Sequence, residues 1–392
     1  MTPESKKRGV WNIIKREVRL FGSHPIYIFC MLGAPLVSII FFLTLMGQGL
    51  PVDLPIAVVD LDNSATSRSL IRQLNAFEQT EVVMITMSFT EAREELQKGT
   101  VYGIFHIPKD FSKQTTTGKQ PTVSFYTNSS YLIAGSLLFR DMKTIAVLAG
   151  ASVGLQQGTA EGSTKDQLMA QLQPIALDTH LLGNPWLNYS VYLNNSLLPG
   201  ILQLMIFLIT VFSIGSEIKY GTSRQWLQMG NYSLAVSLLG KLIPHTMVFT
   251  TVGFMYCAAM YGFNAFPLNS GWLPMLAAMF LLVVSSQAVG VFMISTLPTL
   301  RLGLSFASLF GMLAFSVVGF SYPVLDMHPA IQALANLFPL RYYFLIYIDQ
   351  ALNGRELYYS WIQYVGLTVF LILPFLMGKN LKVALMHFKY VP

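Results

Sequence analysis

The chain has 392 residues, 53% of them hydrophobic and only 11% charged, with a net charge of +6. Soluble domains carry roughly a quarter charged residues, so less than half that share, with long uncharged runs, excludes a soluble enzyme or a disordered chain and points to a membrane protein. The basic charge lies beside the uncharged runs (six Lys/Arg against two Glu in residues 1–25), so nucleic acid is not an expected partner, and Cys30 and Cys257 sit inside apolar runs and build no disulfide framework.

Residues 1–25 form the first segment. Trp11, Ile14, Val18 and Phe21 recur at helical spacing, while Lys15, Arg16 and Arg19 lie on or beside the opposite face, with Glu17 among them. The pattern predicts an amphipathic helix on the inner membrane surface with its basic side toward anionic lipid. Such a helix either anchors the chain or relays motion from a partner. The first uncharged run gives a membrane helix in residues 26–47, since about 20 apolar residues cross the hydrocarbon. It exceeds the roughly 7–15-residue apolar core of a signal peptide and ends without an Ala-x-Ala site, so it reads as a retained anchor.

Residues 48–192 change character. Short strands are expected at 55–60, 81–87, 101–107 and 121–126, with helices at 65–77, 90–98 and 131–153 between and after them. Thr90 is the expected cap of the second helix and Gly99 its end. Gly158–Gly162 should interrupt the long helix, which resumes near 167–173, and residues 175–182 look like a returning strand. The segment reads as a compact α/β domain. His106 is a structural residue in a strand, and Asp60 and Asp62, beside Asn63 and Ser64, cap a helix rather than hold a cation. No His-Glu-x-x-His or Gly-x-Ser-x-Gly occurs, so there is no enzyme and no metal site here.

Residues 193–378 carry five more spans: 196–215, two within the uncharged stretch 242–300 (broken at 262–271), 302–320 and 361–377. The polar segment 216–226 comes directly after the second span, so it is either a solvated loop or a lever on a membrane helix. Between spans five and six, residues 326–345 contain an apolar stretch of about 14 residues between prolines, short for a span and suited to a re-entrant hairpin. A tail, 379–392, closes the chain. If the N-terminus is cytoplasmic, the inner short segments hold thirteen Lys/Arg and the outer ones only Arg341 and Arg355, which places both termini and the 216–226 segment inside and residues 48–192 outside. The fold expected is therefore a polytopic α-helical membrane protein with six transmembrane helices and an inserted α/β extracytoplasmic domain between helices 1 and 2.

Within the spans the ionisable residue of note is His245. The lack of intramembrane carboxylates argues against ion coordination there. It leaves a transport route lined by groups such as Gln203, Ser213, Ser305, Phe306, Phe310 and Ser316, which are equally ordinary packing residues. No Gly-x-x-x-x-Gly-Lys-[Ser/Thr] loop exists: Gly240-Lys241 runs into Leu242, and position 235 is not glycine. Any ATP-driven work needs another polypeptide.

This layout resembles the permease subunits of ABC-2-type exporters over essentially the whole chain. The strings that carry the likeness are Ile14-Ile-Lys-Arg-Glu17 with Ser23-His-Pro25, Ile56-Ala-Val-Val-Asp60 with Asp62-Asn-Ser64, and Asn184-Pro185 through Pro199-Gly200. Others are Glu217 with Gly221-Thr222, and Pro329, Asn336, Pro339-Leu340 and Asn353-Gly354. Where the family commonly has Arg-Glu before Gly-Thr, this chain has Ser216-Glu217. The resemblance implies that Glu217, Ile218, Lys219, Tyr220, Gly221, Thr222 and Arg224 dock into an ATP-binding subunit. It also implies that the Trp11, Ile14, Lys15, Arg16, Glu17 and Arg19 helix takes part in the coupling. ATP and magnesium would be bound by that partner, with no cofactor in this chain. The implied assembly pairs the chain with a second copy or a related permease in a bacterial inner membrane, often with a periplasmic adaptor and an outer-membrane channel. The implied work is export of an amphipathic or hydrophobic substrate. Two other readings are kept: a sodium or small-cation exporter, and a non-transporting receptor with an extracytoplasmic ligand-binding domain.

Overall fold

The computed structural model describes residues 9–117, 119–160, 162–173 and 178–387. In chain order the elements are α1 (Val10–Ser23), α2 (Pro25–Leu45), β1 (Leu54–Asp60), α3 (Ala65–Leu74), β2 (Thr80–Thr86), α4 (Phe89–Lys98), β3 (Gly103–Ile107), α5 (Phe111–Thr116) and β4 (Ser124–Thr127). Then come α6 (Leu132–Ala160), α7 (Lys165–Leu172), α8 (Tyr189–Lys219), α9 (Ser223–Met229), α10 (Leu234–Phe263), α11 (Trp272–Thr296) and α12 (Leu300–Val317). The last are α13 (Pro329–Ala335), α14 (Pro339–Ile346), α15 (Leu357–Leu376) and α16 (Gly378–His387). Six of these, α2, α8, α10, α11, α12 and α15, are long and apolar enough to cross a membrane. The chain divides into two compact units, residues 1–47 with 181–392, and residues 48–180. The second therefore ends earlier than the boundary at 192 expected from sequence.

In the 48–180 unit a four-stranded sheet runs in the order β2-β1-β3-β4. β1 is parallel to both its neighbours, and β4 is antiparallel to β3. Parallel central strands need cover on both faces, and alternate residues of β1 supply it. Ile56 and Val58 pack with Leu70 and Leu74 of α3 and Leu138 and Met142 of α6, whereas Ala57 and Val59 pack with Ala92 of α4. Three sequence expectations need correction here. Ser88, not Thr90, caps α4, and α5 was not anticipated, its six residues (FSKQTT) being mostly polar and too few to show periodicity. The long helix also runs through Gly158 to Ala160, because Gly154 and Gly158 are seats for Leu172 and Leu168 of α7. A Cβ at Gly158 would stand 2.1 Å from a Leu168 methyl. Of the expected returning strand, residues 175–177 lie outside the described residues and 178–182 form no strand.

The cap of α3 is Ser64 and not Asp60, which instead braces the turn ahead of it. Asp60 is almost fully buried; Oδ1 accepts from the Asp62 and Asn63 amides at 3.0 and 2.9 Å, and Oδ2 accepts from Ser67 Oγ at 2.7 Å. Ser64 and Ser67 complete a reciprocal capping box at the start of α3. Replacing Asp60 by alanine removes three charge-assisted bonds and leaves Ser67 Oγ, as a donor, only its longer bond to the Ser64 carbonyl at 3.1 Å. The expected cost is about 2–4 kcal/mol of local stability, read as faster hydrogen exchange confined to β1 and α3.

In the other unit α8 and α11 are the central helices, and their side chains with those of α10 and α14 make the main core around Leu198, Leu202, Phe249, Tyr256, Met279 and Tyr343. Small residues set the distances. Gly200 and Gly311 let α8 and α12 meet closely, since a Cβ at either would lie 2.5 Å from Phe315 or Leu204. Buried polar groups fasten the helices crosswise. Tyr256 Oη donates to the Pro35 carbonyl at 3.0 Å, Tyr261 Oη to Asn195 Oδ1 at 2.7 Å and Tyr347 Oη to the Val191 carbonyl at 3.1 Å. The segment 326–345, expected as a re-entrant hairpin, carries two short helices, α13 and α14, with the buried Phe338 between them ahead of Pro339. Large apolar side chains stay exposed on α2 (Phe29, Val37, Ile40), α12 (Leu309, Met312) and α15 (Trp361, Phe375), as suits lipid or another membrane protein.

Candidate functional site: a buried ion cluster at one end of the bundle

The helix α8 does not stop where its apolar stretch does. It continues through Ser216 and Glu217 to Lys219, with Asn188 capping its start. At its other end the Gly221 amide donates to the Ile218 carbonyl and the Thr222 amide to the Glu217 carbonyl. Gly221 has φ +71° with open space around its missing Cβ. A left-handed glycine just past the last helical residue is the usual way to satisfy the final carbonyls and turn the chain. Beyond this turn the chain enters the short helix α9 at Ser223. The 216–226 segment is thus a helical elbow, which corrects the solvated loop considered from sequence.

Three elements hold α9. The Gly9 amide donates to the Met229 carbonyl at 2.9 Å, ahead of α1. Ser223 Oγ donates to the Leu385 carbonyl at 2.7 Å, and Arg224 Nε to the Met386 carbonyl at 2.9 Å. Both carbonyls belong to the last described turn of α16. Trp226 and Leu227 of α9 are buried with Ile13, Ile218, Leu381 and Leu385 in a second apolar core.

α1 approaches α10 closely at Gly240, where a Cβ would lie 2.8 Å from Ile13 Cβ. One turn further on, four charges from three helices meet. Lys241 Nζ lies 2.8 Å from Glu17 Oε1 and 3.1 Å from Glu217 Oε1, and both Lys241 and Glu17 are wholly buried. Arg16 lies 2.7 Å from Glu217 and 3.4 Å from Glu17. Thr222 Oγ1 donates to Glu217, and the Lys241 ammonium stands 5.0 Å from the centre of the Trp226 ring. Burial opposes the Arg16 charge, but its hydrogen bond and charge interaction with Glu217, and then Glu17, outweigh that and raise its pKa above the ordinary arginine value. The four charges sum to zero, so the cluster can persist in a low-dielectric site where any one of them alone could not. His245, one turn along α10 from Lys241, packs on Phe21 with ring centres 5.0 Å apart.

The arrangement brings together Arg16, Glu17, Glu217 and Thr222 of the expected coupling residues and buries Ile218 beside them. Lys219, Tyr220, Gly221 and Arg224 lie on the exposed side of the elbow, Arg224 already engaged with α16. The expected face of α1 is corrected: Ile13 and Glu17 point inward, while Trp11, Val18, Lys15 and Arg19 are exposed and Ile14 is half-buried. Lys241, Trp226 and α16 were not singled out from sequence, although Lys241 and His245, four residues apart on one face of an apolar helix, were a signal that could have been used. The proposed route residues separate into two sets. Gln203 is buried with its Oε1 accepting the Leu340 amide at 2.9 Å, and Ser213 is buried against the Thr210 carbonyl. Ser305 and Ser316 are exposed on α12, and Phe306 and Phe310 are half-buried, with Phe310 stacked on Phe338 at 4.3 Å.

A family model described as ABC-2 family transporter protein matches residues 25–378. A search of curated proteins returns no match.

Proposed function

The chain belongs to the ABC-2 transporter family, and on that premise we propose that it is the membrane-spanning subunit of an ATP-driven exporter whose ATP is hydrolysed by a separate subunit. The observation that carries the reading is the elbow. Its exposed edge, Lys219, Tyr220, Gly221 and Arg224, offers a handle, and its buried edge is bonded to α1, α10 and α16 at once. A push on the handle cannot be absorbed by a soft loop; it moves the end of α8 together with α1. If the ATP-bound partner grips one arrangement of this joint more tightly than the other, that difference in affinity drives the bundle between inward- and outward-open states.

In this reading the elbow and both termini are cytoplasmic, and residues 48–180 lie on the far side of the bacterial inner membrane. A second permease copy, or a related one, completes the path, with an adaptor and outer-membrane channel as further partners in a double-membraned cell. The cargo is amphipathic or hydrophobic, since the exposed face of α12 offers Ser305, Leu309, Met312 and Ser316 rather than fixed charges. Gln203 and Ser213, both buried and bonded, hold helices together in this account and do not touch cargo. The test is affinity purification of the full chain from its native membrane. A nucleotide-binding subunit should come with it, and ATP turnover of the pair should rise with added cargo. Export by the reconstituted chain alone would end the proposal.

A further inference from the structure

A cavity of about 700 Å³ opens in the 48–180 unit between α5 with the 119–123 segment on one side and α6 on the other. Ala146, Ala149, Gly150 and Gly154 share one face of α6 and form the floor of the cavity, bare at Gly150. Phe111 and Leu70 form apolar wall, and Gln157 Nε2 closes one end by donating to the Thr115 carbonyl oxygen at 2.5 Å. Among the described residues, Lys119 is the one charged group on the lining, and it is exposed at the rim.

Gly150 is the informative position. Gly154 and Gly158 are explained by the leucines of α7 seated on them, but a Cβ on Gly150 would meet nothing within 4 Å. Glycine inside a helix costs about 1 kcal/mol against alanine, and no packed side chain accounts for it here. The space above it is of the size that small-molecule sites occupy, roughly 300–1,000 Å³, with an apolar floor on α6 and a side, Thr115 with Lys119 to Thr122, that carries most of the polar groups.

We propose that this cavity binds a single-chain anionic amphiphile, its alkyl chain lying along the Ala149–Gly154 face of α6 and its anionic head paired with Lys119. The site belongs to this unit alone and stands whether or not the chain is an exporter.

The experiment uses the full chain in lipid nanodiscs, a palmitate carrying a diazirine near the chain terminus, and peptide mapping after illumination. Adducts on the membrane helices, unavoidable for such a probe, serve as the internal reference. Adducts are expected on residues 111–123 and 146–157. Gly150→Leu, which places a better helix former into open space, should keep the unit folded by hydrogen exchange and cut those adducts about tenfold or more relative to the reference. Lys119→Glu, at an exposed side chain, should move the preference from palmitate to the matching long-chain amine. Adducts unchanged by Gly150→Leu, or spread over the outer faces of the unit without concentration on these two segments, overturn the proposal.

Discussion

Replacing Lys241 by methionine should destabilise the bundle by about 3–5 kcal/mol, because it leaves two carboxylates with Arg16 as the one permanent cation beside them. Methionine keeps most of the volume and the unbranched stem, so the loss isolates the charge and not a cavity. Glu17 is fully buried and would retain only its longer contacts, with Arg16 at 3.4 Å and with His245 Nε2 at 3.9 Å. The measurement is thermal unfolding of the purified chain in detergent, followed by tryptophan fluorescence, to which the buried Trp226 beside Lys241 contributes. Arginine at 241 should restore little, since a guanidinium needs more room than a wholly enclosed ammonium leaves. The double variant Glu17→Met with Lys241→Met is the discriminating case. It removes one charge of each sign, and buried ion pairs replaced by apolar groups are often neutral in stability. Most of the lost stability should therefore return. Transport should not, if the ion pair is what ties α1 to the elbow during the cycle. A double variant that both folds and transports normally would make the cluster a passive packing feature.

Whether a feature was visible in the residues depends on whether the interactions that make it are local. Six spans were legible because hydrocarbon thickness demands about 20 apolar residues and the chain supplies six such runs. Their ends were not. α8 runs from Tyr189 to Lys219, well beyond the apolar stretch, because Asn188 and Gly221 stop the helix and polarity does not. The α1 helix was legible as a helix, yet its inward face was misassigned. Periodicity ranks faces by apolarity, and α1 turns a glutamate inward only because a lysine 224 residues later meets it. The same non-locality hid the role of α16: Ser223 and Arg224 look like solvated loop residues until a turn of that helix arrives from 162 positions away. In the 48–180 unit, the strands and the turn at 60–64 were readable from short patterns, whereas Gly158 of α6 read as a breaker because its leucine partner could not be foreseen.

Gly221→Pro should abolish ATP-dependent export while leaving the bundle assembled. Proline holds φ near about −65°, whereas position 221 sits at +71°, so the turn from α8 into α9 cannot form as it stands. Proline also removes the amide that donates to the Ile218 carbonyl. The position itself is exposed with no atom near its Cβ, so no core contact is disturbed. Gly221→Ala provides the graded comparison. An L-residue in the left-handed region costs about 1–2 kcal/mol, which corresponds to about a tenfold fall in the population of the correctly set elbow, and export should drop by no more than that. Glu217→Lys is a poorer probe, because a third cation beside Arg16 and Lys241 would also damage stability and confound the reading. The measurement is cargo uptake into inside-out vesicles with and without ATP, beside co-purification of the nucleotide-binding subunit. Loss of export with the subunit still bound assigns the elbow to force transmission; loss of the subunit itself assigns it to docking. Full export by the proline variant would show that the push enters the bundle somewhere else.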